Sequence, residues 1–88
     1  MPPRSSEAIL LDVVDLHEYD QIVTMLTREF GKRRCVARGS RRRFSQFAGQ
    51  LRPLDTVRAT WFEKEGRELH RLSSLETVRS ADQLTHHL

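Results

Sequence analysis

The chain has 88 residues, of which 38% are hydrophobic, with a formal net charge of +3 and one cysteine. This length fits one small domain, and a single cysteine excludes an internal disulfide and a multi-cysteine metal site. The apolar stretches are far shorter than the roughly 20 residues that cross a bilayer, and no secretory signal is recognised at the start. We therefore expect a folded cytoplasmic domain that has no membrane partner.

Positive charge is concentrated in the middle of the chain. Residues 28–43 carry eight bases against the single acid Glu29, whereas residues 1–27 are acidic and residues 44–88 are balanced. Seven of the eight bases are arginine, whose planar guanidinium can hold phosphate oxygens bidentately and stack on bases. Uncompensated like charges cost folding stability unless a partner uses them. The pattern therefore favours a polyanionic partner, nucleic acid above all, over a merely solvated surface.

The first part of the chain predicts one strand and one ambiguous segment. Residues 1–6 are expected to be a disordered lead, and Glu7–Asp15 is rich in Ile, Leu and Val, which predicts a first strand. The apolar residues of Asp20–Phe30 fit both a helical stripe and one face of a strand. Periodicity leaves that choice open.

A strand with one basic face is predicted after a turn at Gly31. Arg34 and Arg38 alternate with Cys35 and Ala37 there. Residues 41–50 have no strand pattern, so we expect a long basic connection that holds at most a short helix.

The last third of the chain predicts a hairpin. Thr56–Glu63 alternates, with Val57, Ala59 and Trp61 on one face, which we assign to the core, and with Arg58 and Phe62 on the other. After a turn containing Gly66, Glu68–Leu75 can return beside that strand. Residues 81–88 are expected to be a tail.

Five short strands with a long connection between the third and the fourth predict an all-β fold, a small Greek-key barrel. The OB-fold is the commonest version of this layout that binds nucleic acid, and an SH3-like barrel also fits the pattern. We place this domain at residues 7–80.

Several blocks of sequence resemble the N-terminal domain of the RecO family of bacterial recombination mediators. The clearest block is Gly31–Arg41, in which a glycine turn and a strand are followed by Ala, a base, Gly, a small residue and a further base. The blocks are Gly31–Arg41, Glu7–Leu11, Tyr19–Glu29, Gly49–Leu54 and Arg67–Leu72. The resemblance covers roughly residues 7–80 and implies a five-stranded OB-fold in which Asp20–Phe30 is a strand.

The same resemblance implies a role in recombinational DNA repair. Its expected activities are DNA binding and strand annealing, with single-stranded DNA as the first partner and double-stranded DNA and a RecR-like protein as further ones, in the cytoplasm at the nucleoid. The helical domain and the zinc-bearing region of the family have no counterpart in these 88 residues. We therefore expect annealing without displacement of a single-strand-binding protein.

Binding of nucleic acid needs a basic track for phosphates and flat side chains on which bases stack. Of Phe44 and Phe47, either could instead anchor the loop to the barrel. The residues expected to contact nucleic acid are Lys32, Arg33, Arg34, Arg38, Arg41, Arg42, Arg43, Phe44, Arg58 and Phe62.

Catalytic chemistry has no support in the sequence, and we expect no enzyme, no metal and no cofactor. His17 lies among Asp15, Glu18 and Asp20, which is the composition of a polar turn between strands. The alternative function is that of a protein-interaction module whose basic surface receives an acidic partner.

Overall fold

The computed structural model describes residues 2–81, and these form one closed five-stranded barrel. The strands are β1 (Pro3–Leu16), β2 (Asp20–Thr27), β3 (Gly31–Ala37), β4 (Thr56–Phe62) and β5 (Leu69–Arg79). Their order around the barrel is β1-β2-β3-β5-β4. Only the β3–β5 pairing is parallel. This confirms the OB-fold, and it shows that the ambiguous second segment is a strand.

Strand β1 closes the barrel because it pairs with β2 along its second half and with β4 along its first half. The register shifts between Leu10 and Asp12, where a bulge bends the strand from one partner to the other. Residues 1–6 are predicted to be a disordered lead, and for residues 3–6 this is wrong. Their backbone pairs with β4, from Pro3 opposite Phe62 to Ser6 opposite Ala59, and this pairing needs no apolar side chains.

The core is filled by alternate residues of β1 to β4 and by Leu72 and Leu75 of β5. Val57, Ala59 and Trp61 of β4 are fully buried, as predicted, and the edge of the Phe30 ring packs on Trp61 with ring centroids 5.6 Å apart. Cys35 of β3 is also buried, and this burial raises the pKa of its thiol to about 12. The thiol is therefore protonated at neutral pH and acts as a small apolar side chain.

Residues 38–55, the β3–β4 loop, form a series of turns and contain no helix. Hydrogen bonds from Arg42 N–H to the Gly39 carbonyl, 3.0 Å, and from Ser45 N–H to the Arg42 carbonyl, 3.1 Å, are two of these turns. Phe47 is 2% exposed and belongs to the core cluster, so it anchors the loop to the barrel.

The end of the predicted tail, residues 82–88, lies outside the described residues. Within residues 2–81, no helix is both long enough and apolar enough to cross a bilayer.

Candidate nucleic-acid interface

The outer face of β3 carries a row of bases. Cys35 and Ala37 point into the core, so Lys32 and Arg34 project from the other side of the strand, as the alternation predicts, and the exposed Arg38 follows as the first residue of the β3–β4 loop.

Two loops meet at the end of this row. The backbone N–H of Gly39 donates to Asp20 Oδ1 at 2.7 Å, and the backbone N–H of Arg41 donates to the Tyr19 carbonyl at 2.9 Å. The guanidinium of Arg41 donates to the Glu18 carbonyl at 3.1 Å and lies 3.6 Å from Asp15 Oδ2. Arg41 therefore fastens the β3–β4 loop to the β1–β2 loop (residues 17–19), and its charge is partly matched by an acid.

The next two arginines lie on aromatic rings. The Arg42 guanidinium carbon is 4.2 Å from the centroid of the Tyr19 ring, and that of Arg43 is 5.4 Å from the centroid of Phe44. Phe44 is 90% exposed, in contrast to Phe47. Of the two aromatic residues of this loop, the structure thus assigns Phe47 to the core and leaves Phe44 in solvent.

A groove of about 280 Å³ runs over β3 between the β1–β2 loop and the β4–β5 loop (residues 63–68). Four bases line this cationic groove: Arg38, Lys64, Arg67 and Arg71. The backbone N–H of Lys64 donates to Nδ1 of His70 at 3.0 Å, which ties the loop to β5. Of these four bases, only Arg38 is among the residues predicted to bind.

Arg38 joins the cationic groove to two further depressions. One lies along the β1–β2 loop and the other between Tyr19 and Phe44, and the Arg38 side chain lines all three. The three depressions therefore form one continuous, bent path across the surface, with Arg38 at the point where they meet.

Arg33 does not share this path. It lies on the inner side of β3, where its guanidinium donates to the carboxylate of Glu63, which also accepts from Arg4 at 3.1 Å and from Trp61 Nε1 at 3.3 Å. The hydrogen bond from Arg33 holds the pKa of the Glu63 carboxyl below its ordinary value. The charge of the partly exposed Arg33 is thus paired with Glu63 within the chain.

Arg58 and Phe62 are also outside the basic row, although the register places Phe62 opposite Arg71, a base of the cationic groove. They lie on β4, which β5 separates from β3 on one side and β1 and β2 separate from it on the other. The register places Arg58 opposite both Glu7 and Glu76, so acids surround it.

His17 and its acidic neighbours form the turn between β1 and β2. Within residues 2–81, no three His, Cys, Asp or Glu side chains are grouped so that they could hold a metal ion.

The chain matches the family described as "Recombination protein O N terminal" over residues 1–81. A protein of Bifidobacterium adolescentis named DNA repair protein RecO is 41% identical over 78 residues, which are 89% of this chain and 31% of that protein. Proteins of the same name from Symbiobacterium thermophilum and Koribacter versatilis are 42% and 38% identical over 78 and 77 residues, or 89% and 88% of this chain. These matches span 30% and 32% of those relatives, so the chain covers about a third of their length.

Proposed function

This chain belongs to the RecO N-terminal domain family, and from that premise we propose that it binds single-stranded DNA along its cationic face and anneals complementary strands in recombinational DNA repair. The relatives carry the name of DNA repair proteins, which supports the biological setting. The mode of binding is argued from the residues of the surface.

One observation carries the proposal, namely the position of Arg38 where three depressions meet. Within the described residues, Arg38 makes no ion pair shorter than 4 Å, and the same holds for Lys32, Arg34, Lys64, Arg67 and Arg71. Unpaired bases along a groove attract a polyanion, whose binding releases condensed counterions.

The position of the groove supports the same ligand. OB-folds bind oligonucleotides on the face of strands β2 and β3 and with the loops that follow β1 and β4. Here that face carries Arg34 and Arg38, and the β4–β5 loop carries Lys64 and Arg67. None of these groups is arranged as a recognition helix, so binding is independent of base sequence.

Annealing follows from the same charges. A row of bases screens the repulsion between two phosphate backbones, and sequence readout then comes from base pairing alone. Double-stranded DNA, as the product, is a weaker ligand of the same surface. On the basis of family membership, the proposal also includes binding of a RecR-like partner protein. It places the chain in the cytoplasm, at the nucleoid.

A second candidate is the docking of an acidic protein segment. Val14, Ile22 and Val36 are direct cross-strand neighbours on the outer face of β1, β2 and β3, and only Val14 is strongly exposed. This apolar row beside Arg34 and Arg38 suits a peptide with alternating acidic and apolar residues.

Fluorescence anisotropy with a labelled oligothymidylate tests the proposal. About four phosphate contacts on a single strand should give a log–log salt slope of about −3, since each contact releases roughly 0.7 counterions. We expect Arg38→Glu to abolish binding in about 100 mM salt. Arg79→Glu, which makes the same charge change at the far end of β5, should retain most of it. Equal losses in both variants, or affinity that is insensitive to salt, would contradict the proposal, and displacement by an acidic peptide at equal concentration would favour the second candidate.

A further inference from the structure

Two arginine–aromatic pairs share one depression beside the β1–β2 loop. Tyr19 with Arg42 and Phe44 with Arg43 all line it, and Arg38 forms its border with the cationic groove. Tyr19 is the only tyrosine of the chain and is 41% exposed, while Phe44 is 90% exposed. We call these four side chains the stacking pocket.

Folding gains almost nothing from the Phe44 ring. An apolar side chain stabilises a fold in proportion to the area it removes from water, and Phe44 removes little. Phe47 already anchors the same loop in the core. The Phe44 ring, which follows three arginines in sequence, is therefore free to contact a ligand at little cost to the fold.

The Tyr19–Arg42 pair of the pocket is also held in place before any ligand arrives. The Tyr19 carbonyl accepts the backbone N–H of Arg41, and the Arg42 guanidinium covers the Tyr19 ring at 4.2 Å. No carboxylate lies within 4 Å of the Arg42 or Arg43 guanidinium among residues 2–81. Flat cations and rings that are fixed in this way present faces on which unpaired bases can stack.

We propose that the stacking pocket takes the bases of a single strand and sets the preference of this domain for single-stranded over double-stranded DNA. This deepens the proposed function and rests on it. The cationic groove contacts phosphates, which single and double strands both carry. The faces of bases inside a duplex are already stacked on their neighbours, so Tyr19 and Phe44 can engage only unpaired bases.

Phe44→Ala is the first test, with binding measured on a single strand and on a duplex of equal length. We expect the affinity for the single strand to fall about tenfold, the effect of losing one stacked base, and the affinity for the duplex to stay unchanged. Val78→Ala removes another exposed apolar side chain, on β5, and should change neither affinity. Phe44→Trp keeps a ring and should retain binding of the single strand.

An oligonucleotide of abasic sites provides the second test. It keeps the phosphates and lacks the rings, so the wild-type chain and Phe44→Ala should bind it equally. A single strand that contains 2-aminopurine should lose fluorescence on binding to the wild type, because stacking quenches that base, and less so on binding to Phe44→Ala.

Two results would overturn the inference and leave the proposed function standing. One is an unchanged single-strand affinity in Phe44→Ala, and the other is an equal loss on single strand, duplex and abasic strand. Failure of the wild-type chain to bind any of the three would instead overturn the proposed function, and the inference with it.

Discussion

The carboxylate of Asp20 accepts a hydrogen bond from the backbone N–H of Gly39 at 2.7 Å, across 19 residues of sequence. Gly39 has φ 68°, a left-handed conformation that glycine adopts without strain. This bond holds the start of the β3–β4 loop against the start of β2. The carboxylate of Asp20 is needed as the acceptor of this hydrogen bond. This explains why an acid lies at the edge of a basic surface.

Replacing Asp20 should therefore destabilise the fold. We expect Asp20→Ala to lower the free energy of unfolding by about 1.5–3 kcal/mol, the range for loss of a hydrogen bond to a charged group. Urea denaturation measures the difference. Asp20→Asn keeps an acceptor oxygen and should lose less, so an equal loss in the two variants would refute the role of this hydrogen bond.

Annealing of naked complementary oligonucleotides at low salt should be faster in the presence of the chain. The double variant Arg34→Ala, Arg38→Ala should slow it, because it removes two positive charges, one from β3 and one from the first residue of the β3–β4 loop. The matched control is Arg58→Ala with Arg79→Ala, which removes the same charge from β4 and β5. Stopped-flow fluorescence of labelled strands gives the rates. Equal slowing by the two pairs would show that net charge alone determines annealing. Strands coated with single-strand-binding protein should not be accelerated.

Glu63 should make stability depend on pH in the acid range. Its hydrogen bond from Arg33 lowers its pKa in the folded state below the ordinary value of 4.5. The unfolded chain therefore takes up the proton first, and the stabilisation, present above about pH 4.5, is lost as the pH falls through the lowered pKa.

The test is Glu63→Gln, compared with the wild type by urea denaturation at pH 7 and at pH 3. We expect the variant to be less stable by about 1 kcal/mol at pH 7, a modest value since the carboxylate is partly solvated. The gap between the two proteins should shrink at pH 3. A constant gap would mean that the charge of Glu63 is not what stabilises the fold.

Phe47 and Phe44 should respond in opposite ways to truncation. Phe47→Ala opens a cavity in the core and should lower the free energy of unfolding by about 3–4 kcal/mol. Phe44→Ala, at an exposed site, should change it by less than about 0.5 kcal/mol. Thermal or urea denaturation distinguishes the two, and a large loss in Phe44→Ala would show that its ring packs on the loop.

Alternation along single strands was enough to predict much of this fold. The burial of Val57, Ala59 and Trp61 and the outward position of Arg34 follow from period-two patterns. The β2 segment was ambiguous because its apolar residues satisfy both periods, and family resemblance decided it correctly. The start of β1 was missed since residues 3–6 are polar, and their strand is held by backbone pairing with a segment more than 50 residues away.

The site was less predictable, because it depends on strand order rather than on local pattern. Arg33 forms an ion pair with Glu63, 30 residues further along the chain. The local density of positive charge therefore suggested wrongly that Arg33 is free to bind a ligand. Lys64 and Arg67 were missed because acids lie beside them in sequence, and Arg71 because it is an isolated base, although all three line one groove in space. Their position beside Arg38 could have been found from the OB-fold expectation, which brings the β4–β5 loop to β3.

The parallel pairing between β3 and β5 determines where the barrel should open locally. It comprises three residue pairs, fewer than any other strand pairing, and parallel pairing is slightly weaker per residue. This seam should therefore be the first part of the barrel to open, and its amides should exchange with solvent earliest. A DNA strand that contacts both Arg38 and Arg71 would bridge the two sides of the seam. Its footprint in amide exchange would then include backbone groups of Cys35 and His70 beneath the groove, which the ligand itself never touches.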